Sequence, residues 1–258
     1  MVDAVVLAGS LNDGPLKECS PARYEALIRI GSRVMVEYVV EALLKARHVK
    51  RVLVVGPVEE LSQLLSYENV QVTRAVGGIM ENIEAGLKQL PVAKRVLLVT
   101  SDIPMLTARS VDNFIELCGD MSGDLYYPII PQQVVESRFA STRRTYVTLK
   151  DGIYTGGNLF LFNPSVFQQC VQKGKEIIAK RKSPLGLCRL MGLSFLVKYL
   201  LHLLTTKDVQ NKASELLGIR GEVIISHFPE VGVDVDKPGD LEIATRYIAT
   251  IDKELFLV

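Results

Sequence analysis

At 258 residues, 48% apolar and 23% charged, the chain is long enough and apolar enough for one large domain with a substantial core, which excludes disorder. Its 30 Lys and Arg against 29 Asp and Glu give a net charge of +1, which argues against a general nucleic-acid binder. Four cysteines (Cys19, Cys118, Cys170, Cys188) and three histidines (His48, His202, His227) lie far apart, with no Cys-x-x-Cys pair, so neither a zinc site nor a disulfide framework is expected.

The apolar run Val5, Val6, Leu7 flows directly into the small residues Ala8, Gly9 and Ser10. This reads as a buried first strand whose end is kept clear of side chains, leaving room for an anionic group to reach backbone N–H donors. An ordinary strand and glycine turn would look the same. A chain entering a strand at once has no basic leader segment, and cytoplasmic residence is the expectation. Residues 34–46 place Met35, Val39, Leu43 and Ala46 on one helical face. A buried strand follows at 51–56, then a short helix at 59–66 and a half-buried strand at 70–74. Met80, Ile83, Leu87 and Leu90 repeat at helical spacing before another apolar strand at 95–100.

Such alternation predicts an α/β fold, a mainly parallel sheet covered by helices on both faces. Ligands in these sheets bind beyond the carboxyl ends of the strands. The informative loops are therefore Ala8 to Ser10, Val76 to Gly78 and Ser101 to Pro104. Gly77 and Gly78 suit either a close-lying nucleobase or a plain turn into a helix.

Further on, 124–130 and 145–149 read as strands flanking a basic loop with Arg138, Arg143 and Arg144, read as a solvated face or a phosphate contact. Gly156, Gly157 and Asn158 open a short apolar strand, as a hairpin turn also would. Residues 173–217 break the alternation with a helical insertion in what is otherwise a single domain, 1–258. Its most apolar part, 185–204, is interrupted by Arg189, Lys198 and His202, so no membrane span is expected. The expectation is a buried helix pair, packed on the sheet or on a second copy in a homodimer. A strand at 222–228 and a final amphipathic helix complete the chain.

Four segments, VVLAGS (5–10), GGIMENIEAGL (77–87), VTSDIPML (99–106) and VDVDKPGDLE (233–242), stand in an order and spacing that resemble the nucleotidyltransferases of the glycosyltransferase-A-like fold. The likeness is greatest to the molybdenum-cofactor guanylyltransferase-like and methylerythritol-phosphate cytidylyltransferase-like groups. It implies a nucleotide-diphospho-sugar-transferase-like α/β/α sandwich that moves a nucleoside monophosphate from a triphosphate, CTP or GTP, to a phosphorylated small-molecule acceptor.

By the same resemblance, Leu7, Ala8, Gly9, Ser10, Gly77, Gly78, Asn82 and Ser101 bind the nucleotide, and Gly156, Gly157 and Asn158 bind the acceptor. Asp102 and Asp236 hold Mg²⁺, which prefers oxygen ligands and needs few carboxylates. Asp102 would equally form an Asx-turn, and Asp236 a helix N-cap.

One departure is pronounced. Where the family carries an arginine and then a lysine that grip the triphosphate, this chain has a longer loop and places Glu25 at the lysine position. Lys17 and Arg23 are the nearby cations left to take that role, on a loop whose Gly14 and Pro15 suit a lid. The lost lysine keeps a catalytically silent nucleotide-binding protein in view. A glycosyltransferase using a nucleotide-sugar is the other alternative, though its Asp-x-Asp motif would normally lie mid-sheet, and Asp234 and Asp236 lie near the C-terminus.

Overall fold

The computed structural model describes residues 1–140, 142, 144–180 and 183–255, with side chains described as far as residue 251. Arg143 therefore lies outside the described residues. The strands are β1 (Val2–Leu7), β2 (Arg29–Ile30), β3 (Arg33–Val34), β4 (Val49–Gly56), β5 (Val70–Arg74), β6 (Val96–Thr100), β7 (Leu125–Pro131), β8 (Val147–Leu149), β9 (Gly152–Gly156), β10 (Leu159–Phe162) and β11 (Gly221–Ile225). The helices are α1 (Met35–Lys45), α2 (Val58–Leu64), α3 (Ile79–Lys88), α4 (Ala108–Leu117), α5 (Gln132–Phe139), α6 (Phe167–Lys180), α7 (Pro184–Met191), α8 (Leu193–Leu200), α9 (Thr206–Leu217) and α10 (Pro238–Leu255).

One mixed sheet runs in the order β5-β4-β1-β6-β10-β7-β9-β8, with β11 added beside β7, and β2 and β3 form a separate two-stranded ribbon. β1, β4, β5 and β6 are mutually parallel, with Leu7 opposite both Val55 and Thr100. β10 runs antiparallel between β6 and β7. The expected mainly parallel, helix-covered sheet is the one observed.

Strand periodicity divides the core in two. Ala4 and Val6 of β1 face one layer with Val52, Val54, Leu97 and Val99, under α1, α4 and α10. Val5 faces the other with Leu53, Val55, Val96 and Leu98, under α3 and α6. At the buried start of β1, Asp3 accepts from Arg51 Nε and Nη2 at 2.8 and 3.0 Å, which joins β1 to β4 by a bidentate pair.

The structure differs from the sequence reading in two places. Residues 132–139, expected as loop, form α5, because Val135 and Phe139 stand one turn apart and bury together while Gln132 and Glu136 pair on the outside. Residues 185–204 are helical, but within the chain they pack on the sheet domain by one narrow stripe only, and most of the segment is not buried there. Gly192, at φ 109, splits the run into two eight-residue helices. Only Cys188, Phe195 and Leu204 are buried, in a small cluster with Leu149. Among the described residues no helix is long and apolar enough to cross a membrane.

Candidate active site

The carboxyl ends of β1 and β6 lie side by side, which places the loops after them together. Ala8 N–H donates to Val55 O at 2.8 Å and Ser101 N–H to Leu7 O at 3.3 Å, so both residues continue the sheet for one step. Beyond that step, no described residue accepts from the N–H of Gly9 or Ser10. A Cβ on Gly9 would stand 2.7 Å from the Ala75 methyl and 3.0 Å from Asn82 Nδ2. Only a glycine lets the loop after β1 lie this close to the loop after β5.

Asn82 is 5% exposed. Its Oδ1 accepts from Val76 N–H and Gly77 N–H, while Nδ2 donates to Gly77 O, so the amide shapes the Val76 to Gly78 turn ahead of α3.

Asp102 stands just after β6. Val235 N–H donates to Asp102 O at 2.8 Å and moors the extended segment 233–236 beside it. Val233 and Val235 point into the core, so Asp234 and Asp236 share the opposite side. Carboxylate oxygens of Asp102, Asp234 and Asp236 lie within 4.8 Å of one another. Asp236 was expected here from sequence, and Asp234 completes the cluster.

Burial and mutual repulsion both act on these carboxylates. Burial first, then the Asp234 carboxylate, raise the Asp102 pKa to about 7, with smaller contributions from Asp236 and Glu25 and an opposing one from the Thr100 hydroxyl. Burial also raises Asp234, against the pull of Arg144. Three oxygen donors converging at this cost suit a hard divalent cation such as Mg²⁺ better than they suit each other.

Arg144 is the functional candidate that sequence reasoning missed. Far from forming a solvated face, its side chain is 7% exposed and bound to the Asp234 carboxylate and carbonyl. Its Nη2 reaches Asp240 Oδ1 at 3.3 Å. Asp240, in the first turn of α10, also accepts from Asp236 N–H at 3.3 Å. Arg144 and Asp240 thus brace the acidic segment from behind.

Gly156, Gly157 and Asn158 link β9 to β10 at the same sheet end. Asn158 O accepts from Thr100 N–H at 3.0 Å, while Asn158 N–H donates to Val231 O at 2.9 Å. A Cβ on Gly157 would meet Pro128 Cγ at 2.7 Å, so tight packing alone accounts for that glycine.

Lys17 sits exposed on the turn Pro15–Glu18, and Arg23 stacks its guanidinium 5.5 Å from the Tyr24 ring. Neither forms an ion pair with a described residue. The loop they occupy is held closed. Leu11 bridges Tyr24, Glu25 N–H donates to Ser10 O at 3.1 Å, Leu16 is fully buried, and Asn12 Nδ2 donates to Ser20 O and Ala22 O. These contacts anchor the loop at both of its ends.

Comparison with known proteins identifies the family and the fold. The sequence matches the profile of the MobA-like NTP transferase domain over residues 22–178. The structure resembles a hypothetical transferase from Thermus thermophilus at 36% identity and a TM-score of 0.81, covering 93% of this chain and 99% of the other. At 16% identity and a TM-score of 0.59 it resembles a CMP:2-keto-3-deoxy-manno-octonic acid synthetase complexed with CTP, covering 96% of this chain and 98% of the other. A nucleotidyl transferase from Methanothermobacter thermautotrophicus aligns at 16% identity and a TM-score of 0.58, over 97% and 99% of the two chains. These last two likenesses concern the fold. No curated protein matches the sequence.

Proposed function

The chain belongs to the MobA-like NTP transferase domain family, and on that premise we propose that it is a Mg²⁺-dependent nucleotidyltransferase that releases pyrophosphate. The observation that carries the reading is the convergence of Asp102, Asp234 and Asp236 at the carboxyl ends of the parallel strands. In the reaction, an acceptor phosphate oxygen bonds to the α-phosphorus of a nucleoside triphosphate, the bond from that phosphorus to the bridging oxygen breaks, and pyrophosphate leaves with the bonding electrons. Asp102 and Asp236, with Asp234, would hold the cation. When bound, it neutralises charge developing on the transferring and leaving oxygens.

The chain's own groups do the rest. Gly9 and Ser10 offer backbone N–H groups to the phosphates. Gly77 and Gly78 leave the base room against the backbone, and Ser101 follows β6 beside Leu7. Gly156, Gly157 and Asn158 take the acceptor, a phosphorylated small molecule. Lys17 and Arg23 supply the cation that Glu25 cannot, reaching the triphosphate by a movement of their side chains. CTP and GTP are the first donors to test.

Glu25 supports a second reading, nucleotide binding without transfer, because a carboxylate near Asp102 opposes the triphosphate charge. Pyrophosphate release, measured with the four triphosphates and a panel of phosphorylated acceptors, separates the two. Transfer predicts turnover that needs Mg²⁺ and falls by about 10²-fold or more in Lys17→Ala or Arg23→Ala. Nucleotide binding with no release in any combination establishes the silent protein, and full activity in the double variant removes both cations from the mechanism.

A further inference from the structure

The α7–α8 hairpin carries a pattern that nucleotide chemistry does not use. Leu193, Val197, Leu200 and Leu201 stand at i, i+4, i+7 and i+8, the spacing of one helical face, and all four are exposed to solvent, from 46% at Val197 to 77% at Leu193. Leu185 and Leu203 add to the exposed set. The opposite side supplies Cys188, Phe195 and Leu204 to the small cluster that ties the hairpin to β8 and β9. The hairpin is therefore anchored by one side and apolar on the other, which is the wrong way round for a surface meant only for water.

Charge distinguishes what could cover it. Between Ile177 and Lys207 the sequence has six cations (Lys180, Arg181, Lys182, Arg189, Lys198 and Lys207) and no carboxylate. The remainder then holds 24 Lys and Arg against 29 Asp and Glu, so a near-neutral protein keeps its positive excess in the segment that exposes its leucines. Lys180, Arg189, Lys198 and Lys207 are exposed alongside them. A second copy docking by a two-fold axis would set this basic surface against itself, bringing like charges together.

We propose that the α7–α8 hairpin docks the protein on an anionic lipid surface, its leucine face sunk at the boundary of headgroups and acyl chains and its cations among the headgroup phosphates. The cations that interrupt 185–204 as a membrane span are the chemistry an interfacial helix uses. The attachment is peripheral, consistent with helices of eight residues, and it is independent of what the acidic cluster catalyses.

The test is co-sedimentation of the full chain with vesicles of phosphatidylcholine alone and of phosphatidylcholine mixed equally with phosphatidylglycerol. Binding should be at least about tenfold greater on the mixed vesicles at low ionic strength and should weaken at about 1 M salt, where charges are screened beyond about 3 Å. Leu193→Ser, Leu200→Ser and Leu201→Ser combined should lower binding by about tenfold or more with an unchanged melting curve, since all three side chains already face solvent. Should that variant melt early, the doubly reversed Arg189→Glu, Lys198→Glu protein carries the same test. No preference for the mixed vesicles, or a preference that survives the variants, overturns the proposal. So does a concentration-dependent dimer, seen by sedimentation, that the serine variant dissolves while vesicles capture nothing.

Discussion

Replacing Asp102 by Asn should make the metal-free protein more stable at neutral pH, although it removes a group we place in the metal site. Folding raises the Asp102 carboxyl from 3.8 to about 7 through burial and the nearby Asp234 charge. A raised acid is one whose ionisation the fold opposes. The penalty is absent below the unfolded value, grows between about pH 4 and pH 7, and is complete above the folded value. At 1.36 kcal/mol for each tenfold change in proton affinity, the full penalty is about 4 kcal/mol, and structural relaxation around the cluster brings the expected gain to about 2–4 kcal/mol. Asparagine keeps the shape and still accepts from the Thr100 hydroxyl, so little is lost in exchange.

For a chain of this size that corresponds to a melting temperature about 5–12 °C higher at pH 8 and a shift of less than about half that at pH 5, where the penalty is only partly developed. The assay is thermal unfolding of both proteins in chelator, at pH 5 and pH 8, repeated with Mg²⁺ and nucleotide. With ligand in hundredfold excess over its dissociation constant, wild type should gain about 2.7 kcal/mol and the variant much less, so the order of stabilities narrows or reverses. An Asp102→Asn protein that is less stable than wild type at pH 8 in chelator, or equally shifted at both pH values, would refute the electrostatic argument.

Arg144→Ala should be severely destabilising, by about 3–5 kcal/mol, because it leaves Asp234 and Asp240 beside each other without a cation; chemical denaturation at pH 8 measures this, and a loss smaller than 1 kcal/mol would mean that solvent already screens the pair. Asn82→Ala frees the Val76 to Gly78 turn and removes the side-chain acceptor of two N–H groups on exposed residues, at about 0.5–1.5 kcal/mol of stability. Its effect on turnover should fall on KM for nucleotide with kcat little changed, and the reverse split would place the amide in the chemistry.

The parts of the site that could be read in the sequence are those fixed by local periodicity. Asp102 follows an apolar strand, and its place at the carboxyl end of β6 is dictated by where that run stops. Asp234 was legible in the same way. In VDVD the alternation of Val233 and Val235 with two aspartates sends both carboxylates to one side, so a metal ligand at Asp236 brings Asp234 with it. At Asn82 an asparagine after two glycines suits a ligand contact and a turn clamp equally, and the clamp depends on how closely the Gly9 loop packs over it. For Arg144 the sequence offers a solvated face or a phosphate contact, but not its pairing with Asp234 and Asp240. It is one of two adjacent arginines in a polar stretch, and what turns it inward is a carboxylate pair 90 or more positions away.

The hairpin shows the opposite limit, where composition was informative but its physical meaning was not. High apolar content in 185–204 argued for burial, yet a helix of two turns can bury only one stripe, and Gly192 prevents the two helices from combining into a longer one. Mean hydropathy counts leucines without saying which side of a helix they occupy. The face spacing of Leu193, Val197, Leu200 and Leu201, taken with the absence of any carboxylate from Ile177 to Lys207, separates an interior helix from an interfacial one. An interior helix gains nothing from exposed cations around it, whereas a helix lying on anionic lipid gains from both the leucines and the cations.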